Sequence, residues 1–221
     1  VGLSTSSHHP AAAAMPLTLL PDLAAQRMRQ LEELRALFLR RVLLFGLTPL
    51  STALLDNTQP AEAVSRSSAL LFSFGFSLGS LLGSETDTGT ERQILQLLLE
   101  TAFVADTENQ EDPKKGKASL QEYLEAHGFV DVSSSLLRPH LPCRLNRCQM
   151  IAAVCQLLLT VYVKLAAGAN AFSTVGDDLF AIDLLIQRLF LAPWTEIMLH
   201  CIGKVVEVDL SSVDALIKAN S

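Results

Sequence analysis

A chain of 221 residues with 49% hydrophobic side chains has ample material for a core, and its formal charge of −6 and pI near 5.3 argue against a general polyanion binder. Nucleic-acid binding relies on many basic phosphate contacts, so no nucleic-acid partner is expected. Leucine and alanine dominate the apolar runs, which favours an all-α class over a sheet, and a mean hydropathy of +0.33 leads us to expect that some apolar surface meets a partner chain or lipid.

Residues 1–20 are expected to form a low-complexity arm, with His8 and His9 among small residues, and residues 21–221 a single helical domain. The start of the chain has no basic segment followed by a cleavable apolar stretch, which argues against a retained secretory signal. Pro21 suits the first turn of a helix, where its missing N–H does no harm. From Asp22 to Phe45 the positions Ala24, Met28, Leu31, Phe38, Val42 and Phe45 recur at near-heptad spacing and predict one apolar stripe. The opposite face carries Arg35, Arg40 and Arg41, a solvated face or a contact for an anionic partner. A short helix around Leu50 to Leu55 follows, closed by a turn at Asp56, Asn57 and Pro60.

The uncharged stretch from Ser67 to Gly83 is the expected centre of the fold. Gly75, Gly79 and Gly83 repeat at four-residue spacing, a pattern that lines one helix face and lets another backbone approach closely. Phe72, Ser73, Gly75, Phe76, Gly79, Leu82 and Gly83 are therefore the predicted packing residues, with Leu81 adding apolar area. The alternative places 67–84 in a membrane, although its serines and the lack of basic and aromatic ends favour a buried helix.

Thr88 with Glu91 has capping-box spacing and predicts a helix to about Ala105, followed by an exposed loop over 106–118. The acidic residues Asp106, Glu108, Glu111 and Asp112 in it lack the spacing of a calcium loop. Ser119 with Glu122 repeats the cap, and Gly128 supplies a left-handed stop. Phe129 to Val132 is a possible extended tetrapeptide. Asn146 to Gly168 is the second long apolar helix, with Met150 to Val163 as core. Further helices are expected from Asp177 to Leu191, ending in a break at Pro193, from Trp194 to Val206, and from Ser211 to Ala219, where Ser211 and Asp214 suggest a cap. Val205, Val206 and Val208 leave the end of the second of these ambiguous between helix and strand.

Candidates for chemistry are sparse. His140, Cys143, Cys148 and Cys155, with Cys201 in reserve, are usable zinc ligands, but no matched pair of Cys-x-x-Cys motifs accompanies them. The region 140–155 is thus a weak zinc-stabilised or enzymatic alternative, and no metal or other cofactor is expected. Arg138, Arg144 and Arg147 beside it offer planar donors for an anion or a partner carboxylate. There is no GxSxG, HExxH or Walker pattern, His127 and His200 are isolated, and Asp177, Asp178 and Asp183 suit helix initiation and solvent contact. Four cysteines in a chain of this length do not form a disulfide framework, so a reducing intracellular compartment, cytoplasm or organelle interior, is expected.

The sequence therefore predicts an all-α bundle of about seven to nine helices around a glycine-zipper helix. The function expected of it is a non-enzymatic structural or adaptor subunit that meets other protein subunits through apolar helix faces, with membrane contact as the alternative.

Overall fold

The computed structural model describes residues 20–39, 61–83, 89–108, 119–130, 133–140, 146–168 and 176–219. Among these, every regular element is helical: α1 (Leu20–Phe38), α2 (Ala61–Gly83), α3 (Thr90–Glu108), α4 (Leu120–Ala126), α5 (Arg147–Gly168), α6 (Gly176–Ile186) and α7 (Ala192–Ala219). A π-helical turn, Gln187–Leu191, joins α6 to α7 without a break, so the described residues make six helical rods. The N-terminal arm to residue 19, Val42 and Phe45, the helix expected at Leu50 to Leu55, Thr88, and 109–118 of the expected loop lie outside the described residues.

The apolar spacing in α1 holds over its described part: Ala24, Leu31 and Phe38 are buried, joined by Leu34, Met28 is half-buried, and this face packs chiefly on α5. α5 in turn buries Met150, Ile151, Val154, Cys155, Leu158, Val161, Tyr162 and Leu165, with Asn146 Oδ1 accepting the Gln149 N–H at its start. Ser119 and Glu122 form the expected capping box at α4, with Ser119 Oγ accepting from Glu122 N at 3.2 Å and Glu122 Oε2 from Ser119 N at 2.7 Å. Gly128, at φ 82°, provides the left-handed stop. Arg92 fixes that stop from α3, donating to the Gly128 carbonyl at 2.8 Å and standing 4.7 Å over the Phe129 ring.

Several expectations need correction. The most enclosed helix is α3, in which every residue from Ile94 to Ala102 is buried, rather than α2. Gly75 and Gly79 of α2 both face Leu157 of α5, but Gly83 does not join them. A Cβ on Gly75 would lie 3.1 Å from Val154 Cγ2, one on Gly79 would be 4.0 Å from Leu157, and one on Gly83 would meet nothing within 4 Å. Four residues exceed one helical turn by about 40°, so a stripe at this spacing swings from α5 towards solvent within two repeats. The buried face of α2 is instead Leu71, Phe74 and Leu78 with Ser73 and Ser77, while Phe76 is exposed and Phe72, Leu81 and Leu82 are half-buried.

The break predicted at Pro193 is absent. Proline clashes with the carbonyl four residues back and offers no N–H, and the π turn just before it provides a five-residue hydrogen-bond register, in which the Ala192 N–H donates to the Gln187 carbonyl. Ser211 does not cap a new helix either. Its hydroxyl donates to the Glu207 carbonyl at 2.8 Å inside a continuous α7, and the valines near 206 are helical. Phe74, Phe190, Trp194 and Phe38 stack in sequence with centroid separations of 4.5, 5.4 and 6.5 Å, tying α2, the π turn, α7 and α1 into one core.

Candidate docking surface

Two buried polar networks fix the scaffold. Asp183 on α6 accepts from Arg27 Nε of α1 at 3.0 Å, from the Tyr162 hydroxyl of α5 at 2.5 Å and from Gln187 Nε2 of the π turn at 2.6 Å. Burial and the Asp183 carboxylate hold the Tyr162 hydroxyl well above its usual range. Asp183 is thus a structural joint of three helices rather than part of the solvated acidic rim that its sequence position suggests.

The second network belongs to Glu100 on α3, which is completely buried. Its carboxylate accepts from the Ser135 N–H at 2.9 Å, the Leu136 N–H at 2.7 Å, the Ser134 hydroxyl at 2.8 Å and Gln96 Nε2 at 2.6 Å. Gln96 also donates to the Ser133 carbonyl, and Ser77 Oγ accepts the Leu137 N–H at 2.8 Å. A segment without regular structure is thereby bolted across α2 and α3, because its backbone donors find acceptors on helix side chains.

Between α1 and the π turn with α7 lies an open groove of about 820 Å³. Arg27, Gln30 and Gln187 line it from the Asp183 network, Leu34, Leu37, Leu191, Met198, Leu199 and Ile202 supply apolar surface, and Glu33 and Glu196 contribute carboxylates. π turns interrupt a helix's regular register and are frequent at functional sites, and here the turn forms part of the groove wall.

An apolar stripe leaves this groove along α7. Leu199, Ile202, Val206, Leu210 and Val213 are spaced three, four, four and three residues apart, which places them on one helix face. Leu199, Val206, Leu210 and Val213 are 63%, 42%, 62% and 51% exposed, so the stripe faces outward. Cys201 is the last buried side chain described on α7, beyond which about 27 Å of helix continues to Ala219. Exposed helices draw little stability from propensity alone, and side-chain support in this part includes the Lys204–Glu207 pair at 3.2 Å and the back-bonded hydroxyls of Ser211 and Ser212.

Among the described residues, those singled out from sequence do not converge on a reaction centre. Arg35 donates to Gln156 across the α1–α5 interface, and Arg40 and Arg41 lie outside the described residues. Arg138 is exposed on the segment held by Glu100, Arg147 is buried in the first turn of α5, and Arg144 is outside the described residues. His140 is exposed, Cys148, Cys155 and Cys201 are buried, and Cys143 is outside the described residues. Among the described residues no three His, Cys, Asp or Glu side chains form a metal-binding group. Burial pushes the Cys155 thiol up to about 12, the opposite of the thiolate that zinc takes. Burial also raises the Cys201 thiol, with neighbouring Cys148 adding to the rise and Arg147 opposing it.

By length and composition alone, Arg147–Ala167 and Asp178–Val213 are apolar enough to cross a membrane. The first is more than half buried in the protein, the second much less, and Ser67–Gly83 is shorter than either. Sequence reasoning missed the α7 stripe because it divided α7 near Val206. The three-four-four-three spacing was the available signal. No family model, curated protein or solved structure matches this chain.

Proposed function

We propose that the protein is a non-enzymatic structural or adaptor subunit that joins a larger assembly through an apolar helix face. The observation that carries this reading is the outward stripe of α7, Leu199 to Val213, on a helix that extends well past its own core. The surface differs from the one expected at Phe72, Ser73, Gly75, Phe76, Gly79, Leu82 and Gly83, since the apolar bulk of α2 is largely spent inside. Phe76, Gly79 and Gly83 remain as an accessory patch for a close crossing in the sense of a glycine zipper. A complete bundle of seven to nine helices belongs to the same proposal, with Leu50 to Leu55 as the added helix.

Extraction of tagged protein from its native source in mild detergent, with sizing and identification of bound chains, tests this reading. A stable complex is expected. A monomer that stays soluble without detergent contradicts it.

A membrane-associated subunit is the second reading, favoured by the low burial of the apolar run Asp178–Val213 more than by 67–84. Glu196 and Glu207 stand exposed on that helix and oppose an anionic lipid surface. Resistance to carbonate extraction in the absence of bound protein would favour lipid.

A further inference from the structure

The α1–α7 groove has an apolar floor with an acidic rim. Glu33 on α1 and Glu196 on α7 are exposed, and neither forms an ion pair with another described residue. Arg27, the one cation among the described lining residues, is occupied: its Nε and Nη2 donate to Asp183 and its Nη1 to Gln30 Oε1 at 3.0 Å. Farther along α7, Lys204 is paired with Glu207. The charge that the described lining offers to an incoming partner is therefore negative.

Shape narrows the choice further. The lining on α1 runs from Arg27 to Leu37, about 15 Å of helix rise or roughly three turns. A groove of that length, floored by leucines and by the adaptable side chain of Met198, matches an amphipathic helix whose anchors recur at i, i+3, i+4 and i+7. The described residues include no strand edge that an extended peptide could join.

We propose that the groove between α1 and α7 receives the apolar face of a basic amphipathic helix from a partner protein, with its lysines or arginines flanking that face and meeting Glu33 and Glu196. The α7 stripe extends the contact beyond the groove. A second copy of α7 is the poorer match for the groove, since residues 192–219 carry four acidic side chains against two lysines and bring further negative charge to Glu33 and Glu196. The inference rests on the subunit reading and specifies the partner's chemistry.

The test uses a displayed library of helical peptides about 18 residues long, with apolar anchors fixed and flanking positions varied between acidic, neutral and basic. Selection on the full chain is expected to enrich basic flanks. A resynthesised winner should lose about tenfold in affinity at high salt, and about tenfold on the exposed double variant E33K/E196K. A peptide with its flanking charges inverted should bind that variant better than it binds the wild type. Enrichment of acidic or neutral flanks, the absence of any binder, binding indifferent to E33K/E196K, or a wild-type dimer in sedimentation that the peptide cannot displace would each overturn the proposal. A native complex that survives E33K/E196K unchanged would remove the basic helix and leave the subunit reading standing. Basic-peptide binding by a chain that is monomeric in native extracts would support the groove and remove the subunit reading.

Discussion

The two apolar helices α2 and α7 differ in where they spend their hydrophobic surface. α2 contains the uncharged, glycine-rich stretch, yet Leu71, Phe74 and Leu78 point into the core, and Ser73 and Ser77 are buried with them. α7 carries charges throughout its length, yet it leaves Leu199, Val206, Leu210 and Val213 outside. Apolar composition therefore does not distinguish a core helix from one that leaves its apolar side chains exposed. The distinction comes from how many neighbours cover the apolar face: α2 lies against both α3 and α5, while α7 outruns the body of the fold.

The sharpest way to break this contrast is to truncate one residue from each region and compare the costs. Phe74→Ala should lower stability by about 3–5 kcal/mol in urea unfolding, as expected of a closed aromatic site, whereas Val206→Ala should stay within about 0.5 kcal/mol. Similar costs at the two sites would mean that α7 is packed as tightly as α2. Asp183→Ala should cost about 3–5 kcal/mol as well, because it leaves the Arg27 guanidinium and the Tyr162 hydroxyl without their shared acceptor. A loss below about 1 kcal/mol would show that the joint between α1, α5 and α6 is not needed to hold the groove wall.

Glu100→Ala should cost about 3 kcal/mol, since the Ser135 and Leu136 N–H groups lose their buried acceptor. Hydrogen exchange should show the segment after Ser133 opening while the interior of α3 stays protected. Uniform deprotection of the whole chain would instead make Glu100 part of the global core.

Alkaline pH sharpens the same comparison, because the thiol and phenol concerned lie only in the buried part. Cys155 keeps its proton up to about 12 in the folded chain against 9.0 ordinarily, and Tyr162 is raised from 10.0. Both are acids whose folded-state pKa lies above the unfolded value. Their contribution is fully present below about pH 9 and is lost as pH rises from there towards the folded values. Stability should fall by about 1 kcal/mol per pH unit for each group once its unfolded form ionises. Cys155→Ala with Tyr162→Phe should flatten that fall relative to wild type, and an identical slope in the variant would assign it to other groups. Native Cys155 should also resist thiol reagents at pH 8 until the chain unfolds.

Glycine substitutions give the smallest effects. Gly79→Ala has room beside Leu157 and should gain about 1 kcal/mol from helix propensity, as should Gly203→Ala in α7, where an added Cβ meets nothing within 4 Å. Gly75→Ala must push against Val154 Cγ2 at 3.1 Å and should lose about 1 kcal/mol net. Equal losses at Gly75, Gly79 and Gly83 would restore a shared close crossing for the α2 glycines.

Local signals in the sequence translated well because they act within one or two turns. The Ser119–Glu122 box, the Gly128 stop, the Asn146 start and the α1 stripe depend on neighbours three to seven residues away, and each is present. The Asp183 joint links residues 156 positions apart, and Glu100 reaches 35 residues to Ser135, distances at which spacing carries no information. Pro193 misled because the usual proline penalty assumes a regular α register, which the π turn replaces. The glycine spacing marks a close approach without identifying a neighbour: a Cβ on Gly75 would press on Val154 Cγ2 at 3.1 Å, one on Gly79 would only touch Leu157 at 4.0 Å, and one on Gly83 would meet nothing within 4 Å.

The central claim is that the outward face of α7 holds this chain in an assembly. It is tested most directly by sizing native extracts that contain either the wild-type chain or the exposed triple variant Val206→Ser, Leu210→Ser, Val213→Ser, with circular dichroism confirming that the purified variant keeps its helices. The account predicts a wild-type chain in a large complex and a folded variant released from it as a monomer. A folded variant that still migrates in the same complex would contradict it.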